Sequence, residues 1–361
     1  MSNNLLNLNL DLRSLKNIKL PGWLRFRTPA ASPVSGGRVN WPHVAFEVGG
    51  PEIVLARLTK DADRKWGLTS FDVAPMPEGV TEGDAFRLTL KAPDRLKSIV
   101  AAMLQKEGVK TRTVSLVIPD HLARVSIIPL ESLPRSRRDL AEMLRWKMKK
   151  SVPFKVEDAA LDYEVMPLNG GNGGFQVLVA LIPRHIVAEH EEVFISQGIR
   201  PGLVELSSFA LVNLYRNVID HEVPAGGDFM VVNITGSFFT VMIFRAGRIL
   251  FYRCKAFTAD DDGSMEGRRR LLRREVQASL VYYQERLAGT DLARLYVRTT
   301  GLAAPEALSA LSGDSMPVAA EPLDVRRALP MSGRIDATGD RADELLQKLA
   351  PAVGAAVGRA A

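Results

Sequence analysis

Apolar residues recur every three or four positions over residues 136–150, at Leu140, Met143, Leu144 and Met148, and then every second position from Ala159 to Val165. The first spacing predicts a helix with one buried face, and the second a half-buried strand. Ser136 is placed to cap the helix, with Asp139 three residues on in capping-box spacing. Lys147, Lys149 and Lys150 put positive charge in the last turn, where the helix dipole favours it. Pro153 ends the helix, and Pro153-Phe154 forms a stiff corner into the strand.

The same two periods organise the rest of the chain. Residues 1–40 are broken up by Pro21, Pro29, Pro33, Gly36 and Gly37 and are expected to be a flexible N-terminal extension. Residues 44–59 read as strand, Gly-Gly turn, strand, with a third strand at 68–74. An amphipathic helix over 96–106 and strands over 113–118 and 123–128 lead into the helix–strand unit. After a glycine-rich loop at 168–174, residues 175–182 are almost continuously apolar, the pattern of a strand buried on both faces. A helix over 184–197, a strand over 203–206 and a helix capped by Ser207 or Ser208 follow. From Gly227, three strands over 229–235, 238–244 and 248–255 repeat the order seen at 44–74, which points to an internal duplication. A long helix over 268–288, strands over 292–297 and 317–319, and a helix over 343–357 complete this half.

Composition narrows the class. At 361 residues, with 46% hydrophobic and 24% charged residues, the chain has the make-up of an ordinary folded protein of two lobes. The single cysteine, Cys254, excludes an internal disulfide and fits a reducing compartment. No apolar run reaches the roughly 18 residues of a membrane span, and the opening residues, with leucines alternating among Asn3, Asn4, Asn7 and Asn9, do not read as a secretory leader. The net charge of +6 is modest, and its arginines and lysines concentrate at 135–150 and 268–274, both on expected helices. These are either solvated faces or a basic surface turned to anionic lipid.

Three stretches carry a family resemblance. Val152-Pro153-Phe154 followed by Leu161-Asp162-Tyr163 and Val165, then Gly198, Pro201, Val204 and Ser208-Phe209-Ala210-Leu211, and Leu280 with Tyr282-Tyr283, resemble the PilM family of actin-like pilus assembly proteins. The resemblance spans roughly residues 44–360. It implies an α/β chain of the actin-like ATPase fold, with two duplicated lobes and a small α/β subdomain inserted in the first. The expected division is 1–40 as extension, 41–113 as the first part of the first lobe, and 114–167 as the insert. Residues 168–226 return to the first lobe, and 227–361 form the second.

The resemblance also says where nucleotide would sit, on two glycine-bearing hairpins and a later glycine turn. The corresponding positions here are Glu47, Gly49 and Gly50, then Asn233, Gly236 and Ser237, and finally Gly301. Glu47 and Asn233 replace the family's aspartates, Pro51 removes an amide and Glu52 adds negative charge. Catalytic and metal-binding residues are therefore not assigned, and no cofactor is expected; ATP with magnesium belongs to the alternative, an active actin-like ATPase whose nucleotide state gates pilus assembly. Asp260-Asp261-Asp262-Gly263 is read as a solvated turn, and Cys254 and the histidines as structural.

The implied role is that of a cytoplasmic scaffold, peripheral to the inner membrane, of a type IV pilus or related type II secretion platform. It would bind the cytoplasmic tail of a PilN-like membrane protein, with other platform proteins, the assembly ATPase, a second copy of the chain and anionic membrane as further partners. Residues 1–15 resemble such a tail and are expected to dock in the same groove of their own or a neighbouring copy. Nucleic acid is not an expected partner, because no aromatic-basic platform accompanies the arginine-rich helix.

Overall fold

The computed structural model describes residues 25–26, 42–63, 65–83, 85–168, 173–257, 264–313, 316–331 and 340–357. A two-residue strand, β1 (Arg25–Phe26), comes first. The expected hairpin and third strand are β2 (Val44–Glu47), β3 (Glu52–Lys60) and β4 (Trp66–Pro75), paired antiparallel with Val44 opposite Arg57 and Ile53 opposite Ala74. A short hairpin of β5 (Thr81–Glu82) and β6 (Thr89–Leu90) leads to α1 (Pro93–Lys106), which starts at a proline whose missing amide has no helical partner to lose. β7 (Thr113–Ile118) then returns parallel to β2.

At this point the chain leaves the first sheet. β8 (Arg124–Leu130), α2 (Arg137–Met148), β9 (Ala159–Pro167) and β10 (Phe175–Pro183) form a separate three-stranded sheet in the order β8-β10-β9, with α2 on one face. Ser136 caps α2 as expected, accepting from the Asp139 amide at 3.1 Å. The apolar run of β10 is buried on both faces: Val177, Val179 and Leu181 face α2, while Leu178, Ala180 and Ile182 join the main core. β9 is the outer strand and is half-buried on both faces, so its alternation is weaker than the sequence suggests. The insert expected at 114–167 differs accordingly, because β7 lies in the large sheet and β10 in the small one.

The chain re-enters the first lobe through α3 (Arg184–Ile195), β11 (Arg200–Leu206), parallel to β7, and α4 (Ser207–Glu222). The second half repeats this plan with β12 (Asp228–Ile234), β13 (Phe238–Arg245), β14 (Arg248–Ala256), α5 (Met265–Arg286), β15 (Leu292–Thr299), α6 (Ala304–Ala310) and β16 (Ala320–Pro322). α7 (Val325–Ala328) and α8 (Asp340–Val357) follow. The strand expected at 317–319 is β16, a few residues later. Both sheets have the same order, β4-β3-β2-β7-β11 in one and β14-β13-β12-β15-β16 in the other. The duplication is therefore present in the topology.

α8 departs from the expected division. It packs against α4 and against β2, β3 and β7, so the end of the chain belongs to the first lobe although the second-lobe strands precede it. α4 and α8 form a layer between the two sheets, where Phe209 of α4 stacks on Tyr252 of β14 at 5.7 Å and Val353 shares a core with Phe229 and Tyr296. α1 and α3 cover the far face of the first sheet, with Phe46 against Phe194 at 5.1 Å, and α5 and α6 cover the far face of the second. β1 also departs from expectation. It extends the first sheet by pairing antiparallel with β11, Arg25 opposite Glu205, so part of the supposed extension is built into the fold. Residues 1–15, the 168–174 loop apart from its ends, and the 260–263 turn lie outside the described residues.

α4 and α8 approach so closely that a Cβ on Gly354 of α8 would lie 2.0 Å from the Ala210 carbonyl oxygen of α4. Gly354→Ala is expected to lower stability by about 2 kcal/mol or more, since neither backbone can yield without disturbing the core. Chemical denaturation of the purified variant measures this; an unchanged midpoint would mean that the helices slide apart freely.

Candidate functional site

The two hairpin turns face one another across the α4 and α8 layer. In the β2–β3 turn, Gly49 has φ +104°, and a Cβ there would lie 2.9 Å from the Pro119 ring. In the β12–β13 turn the Thr235 hydroxyl oxygen accepts from the Ser237 and Phe238 amides at 3.3 and 3.1 Å and its proton goes to the Phe238 carbonyl at 2.9 Å. Thr235 therefore closes the turn with its own side chain. Gly301, just past β15, sits against that same turn, and a Cβ on it would come 2.0 Å from the Thr235 carbonyl oxygen.

Behind the turns lies a buried polar network. Asp120, fully buried in the turn after β7, accepts from the Ser208 amide at 3.0 Å, from the Thr240 hydroxyl at 2.8 Å and from the Ser208 hydroxyl. It thereby caps α4 from 88 residues away. The expected capping by Ser207 or Ser208 does not occur, because both are already in the first turn and their hydroxyls point into the network. Asn233 donates to the Ser208 hydroxyl at 2.9 Å and accepts from Arg298 at 3.1 Å.

Arg298, only 3% exposed, joins everything else. Its Nε donates to the Gln347 carbonyl of α8 at 2.8 Å. That carbonyl has no helical donor, because the residue four positions on is Pro351, which has no N–H. A terminal nitrogen of Arg298 lies 3.9 Å from the Glu47 carboxylate, whose other oxygen accepts from the Ser207 hydroxyl at 3.1 Å. Gln347 accepts from the Thr299 amide at 3.2 Å, and Lys348 pairs with Glu52 of the first hairpin at 2.7 Å. Burial pushes the carboxyls of Glu47 and Asp120 above their ordinary range, and the nearby Arg298 charge opposes the shift in both.

The cavity left among these groups is about 40 Å³, lined by Glu47, Gly49, Gly50, Ser237, Arg298 and Lys348 among others. The fold thus brings together the expected Glu47, Gly49, Gly50 and Ser237. Asn233 lies behind them against Arg298, Gly301 supports the second turn, and Gly236 has open space beside it. Among the described residues, no group of three or more His, Cys, Asp or Glu is placed to hold a metal ion.

Sequence reasoning missed Asp120, Arg298 and Gln347. Arg298 had a weak signal: it is a charge near the end of a strand expected to be buried, and Pro351 announces a helix with an orphaned carbonyl. Asp120 had none, since its partner is remote in sequence. His190 is buried, with Nδ1 2.7 Å from the Ile186 carbonyl oxygen. Burial raises the pKa of the Cys254 thiol, which fits a packed rather than reactive side chain.

Two lobes of identical strand order, two facing hairpins and a central pair of helices constitute the actin-like ATPase fold. The chain belongs to the type IV pilus assembly protein PilM family, whose model matches residues 46–262, more than half its length. Its structure is similar to that of the PilM–PilN type IV pilus biogenesis complex, with 19% identity, a TM-score of 0.73, and coverage of 87% of this chain and 97% of that one. More remote matches are a Bacteroides thetaiotaomicron protein with actin-like ATPase fold and unknown function (13% identity, 79% and 91% coverage, TM-score 0.46) and the cytoplasmic domain of EpsL, an inner-membrane component of the Vibrio cholerae type II secretion system (14% identity, 79% and 90% coverage, TM-score 0.44). No helix among the described residues is long and apolar enough to cross a membrane.

Replacing Arg298 by Met is expected to cost about 3–5 kcal/mol, because it strands the Gln347 carbonyl and the Glu47 carboxylate. Without the guanidinium the folded-state pKa values of Glu47 and Asp120 rise further. The deficit is then largest near neutral pH and shrinks as acid protonates both carboxyls in the folded chain. Denaturation curves of Arg298→Met and the unaltered protein across acidic to neutral pH measure this, and a pH-independent difference contradicts the assignment.

Proposed function

We propose that this protein is a scaffold of a type IV pilus assembly platform, peripheral to the inner membrane on its cytoplasmic side. In this reading it binds the cytoplasmic tail of a PilN-like membrane protein and does not hydrolyse nucleotide. The observation that carries the loss of catalysis is the interlobe site. The space between the two hairpins is about 40 Å³, beside a second cavity of about 740 Å³ that opens past Thr300 and Gly301; what opposes nucleotide is the engagement of the polar side chains. The residues there do not fit a nucleoside triphosphate with magnesium. Asp120 is consumed in capping α4, Glu47 is held by Ser207 and Arg298, and Asn233 is engaged on both its oxygen and its nitrogen.

Membership of the PilM family, and the likeness to a PilM–PilN complex, support a tail-binding role. β1 supports a place for it. This short strand lies on the β11 edge of the first sheet and also contacts β9, the outer strand of the three-stranded sheet. An extended segment on that edge takes up backbone hydrogen bonds that the strand otherwise offers to water. The partner tail docks there by strand addition, in competition with the chain's own β1.

Parallel calorimetric titrations test the reading, one with ATP and magnesium and one with a synthetic peptide of the membrane partner's tail. Heat from the tail and none from ATP is the expected outcome; tight ATP binding would favour a nucleotide-gated ATPase instead. A chain lacking residues 1–26 is expected to bind the tail more tightly, in proportion to how rarely the edge is free in the full chain. Unchanged affinity would show that the tail docks elsewhere.

A further inference from the structure

The two basic runs of the sequence fall on α2 and α5, and the structure uses them differently. On α5 the arginines are engaged with the protein: Arg269 lies 2.7 Å from Glu266 and 3.4 Å from Glu306, Arg273 donates to the Ala310 carbonyl at 3.0 Å, and Arg268 stands 5.4 Å over the Phe257 ring. On α2 the stripe of Leu140, Leu144 and Met148 is buried, and Arg145 turns under the helix to donate to the Ala159 carbonyl at 3.1 Å. The opposite face is different in kind. It presents Trp146, 73% exposed, flanked one turn on by Lys149 and Lys150 and beside it by Lys147.

None of these lysines, nor Lys155, has an ion-pair partner among the described residues. Of the nearby acids, Glu142, one turn before Trp146, is paired with Arg138 at 3.0 Å, and Glu157 lines the same concavity as Lys149 and Lys155. Immediately after the helix, Lys149, Val152, Pro153, Phe154 and Lys155 line a shallow concavity of about 650 Å³. An exposed indole amid unpaired ammonium groups on a convex helix has the chemistry of a membrane interface. Indole rings settle at headgroup depth, lysine stems lie along apolar surface while their charges reach phosphate, and each lysine near an anionic surface strengthens binding by about fivefold.

We propose that the outer face of α2 and of the turn that follows it, comprising Trp146, Lys147, Lys149, Lys150 and Lys155, is a docking surface for anionic phospholipid bilayers. It orients the insert toward the membrane and goes beyond the scaffold reading, on which it does not depend. The test uses the full-length chain alone, so it stays separate from tail binding. Flotation with vesicles of phosphatidylcholine, or of phosphatidylcholine mixed with phosphatidylglycerol, is expected to show binding only to the mixed vesicles, weakening as salt is added. Lys149→Glu combined with Lys150→Glu is expected to reduce that binding by about tenfold or more. Trp146→Ala is expected to reduce it severalfold, and quenching of tryptophan emission by brominated lipid is expected to disappear in Trp146→Phe. All three changes are at exposed positions, and circular dichroism confirms that the variants fold. Equal binding to both vesicle types, no vesicle binding, or binding unaffected by these substitutions overturns the proposal. Loss of a protein partner with vesicle binding intact would assign the face to that protein.

Discussion

A single buried guanidinium holds the two lobes and the terminal helix in register. Arg298 extends from the second sheet, satisfies the carbonyl that Pro351 leaves without a helical donor, contacts Asn233 within its own lobe and faces Glu47 at the end of the first hairpin. Each of these groups is costly to bury alone, and together they satisfy one another. The position of α8 between the lobes, the spacing of the two hairpins and the small volume between them all depend on this arrangement. On our reading, these side chains take the place that nucleotide would have in an active relative, and the chain acts as a scaffold.

The duplication explains why such a lock can exist. α4 follows the last strand of the first sheet and α8 follows that of the second, so the two helices occupy equivalent places and pack on each other at backbone distance. Each has an irregularity repaired from elsewhere in the chain. The Ser208 amide at the start of α4 is met by Asp120, and the orphaned carbonyl within α8 is met by Arg298. Both remedies place a charged group where low dielectric makes an unpaired polar atom expensive. The lobes are thereby tied by directional bonds in addition to the shared apolar core of Phe209, Phe229, Val353 and Tyr296.

The inserted sheet serves a different purpose. Its central strand, β10, is anchored on both faces, whereas the side of α2 turned away from the sheet is exposed. On our reading the partner's tail takes the β11 edge beside β9 while α2 turns Trp146 and its lysines toward lipid. The lipid contact would then fall on the element added to the duplicated lobes, and the tail contact on the first-lobe edge beside it.

Much of this was legible without coordinates. Period alone marked α2, β10 and the paired meanders, because burial of one stripe or of alternate residues is a local consequence of the chain's own order. Ser136 as the cap of α2 was equally local, and so were the turns at Gly49-Gly50 and Gly236; that Glu47, Gly49, Gly50 and Ser237 would lie near one another was implied only by the family resemblance. Tertiary structure alone decided which lobe α8 joins, that Asp120 rather than a serine caps α4, and that β1 pairs with β11. It also decided which of two basic helices keeps its charges free. These depend on contacts between residues far apart in sequence, where burial and hydrogen-bond geometry, which no local spacing encodes, choose the partner.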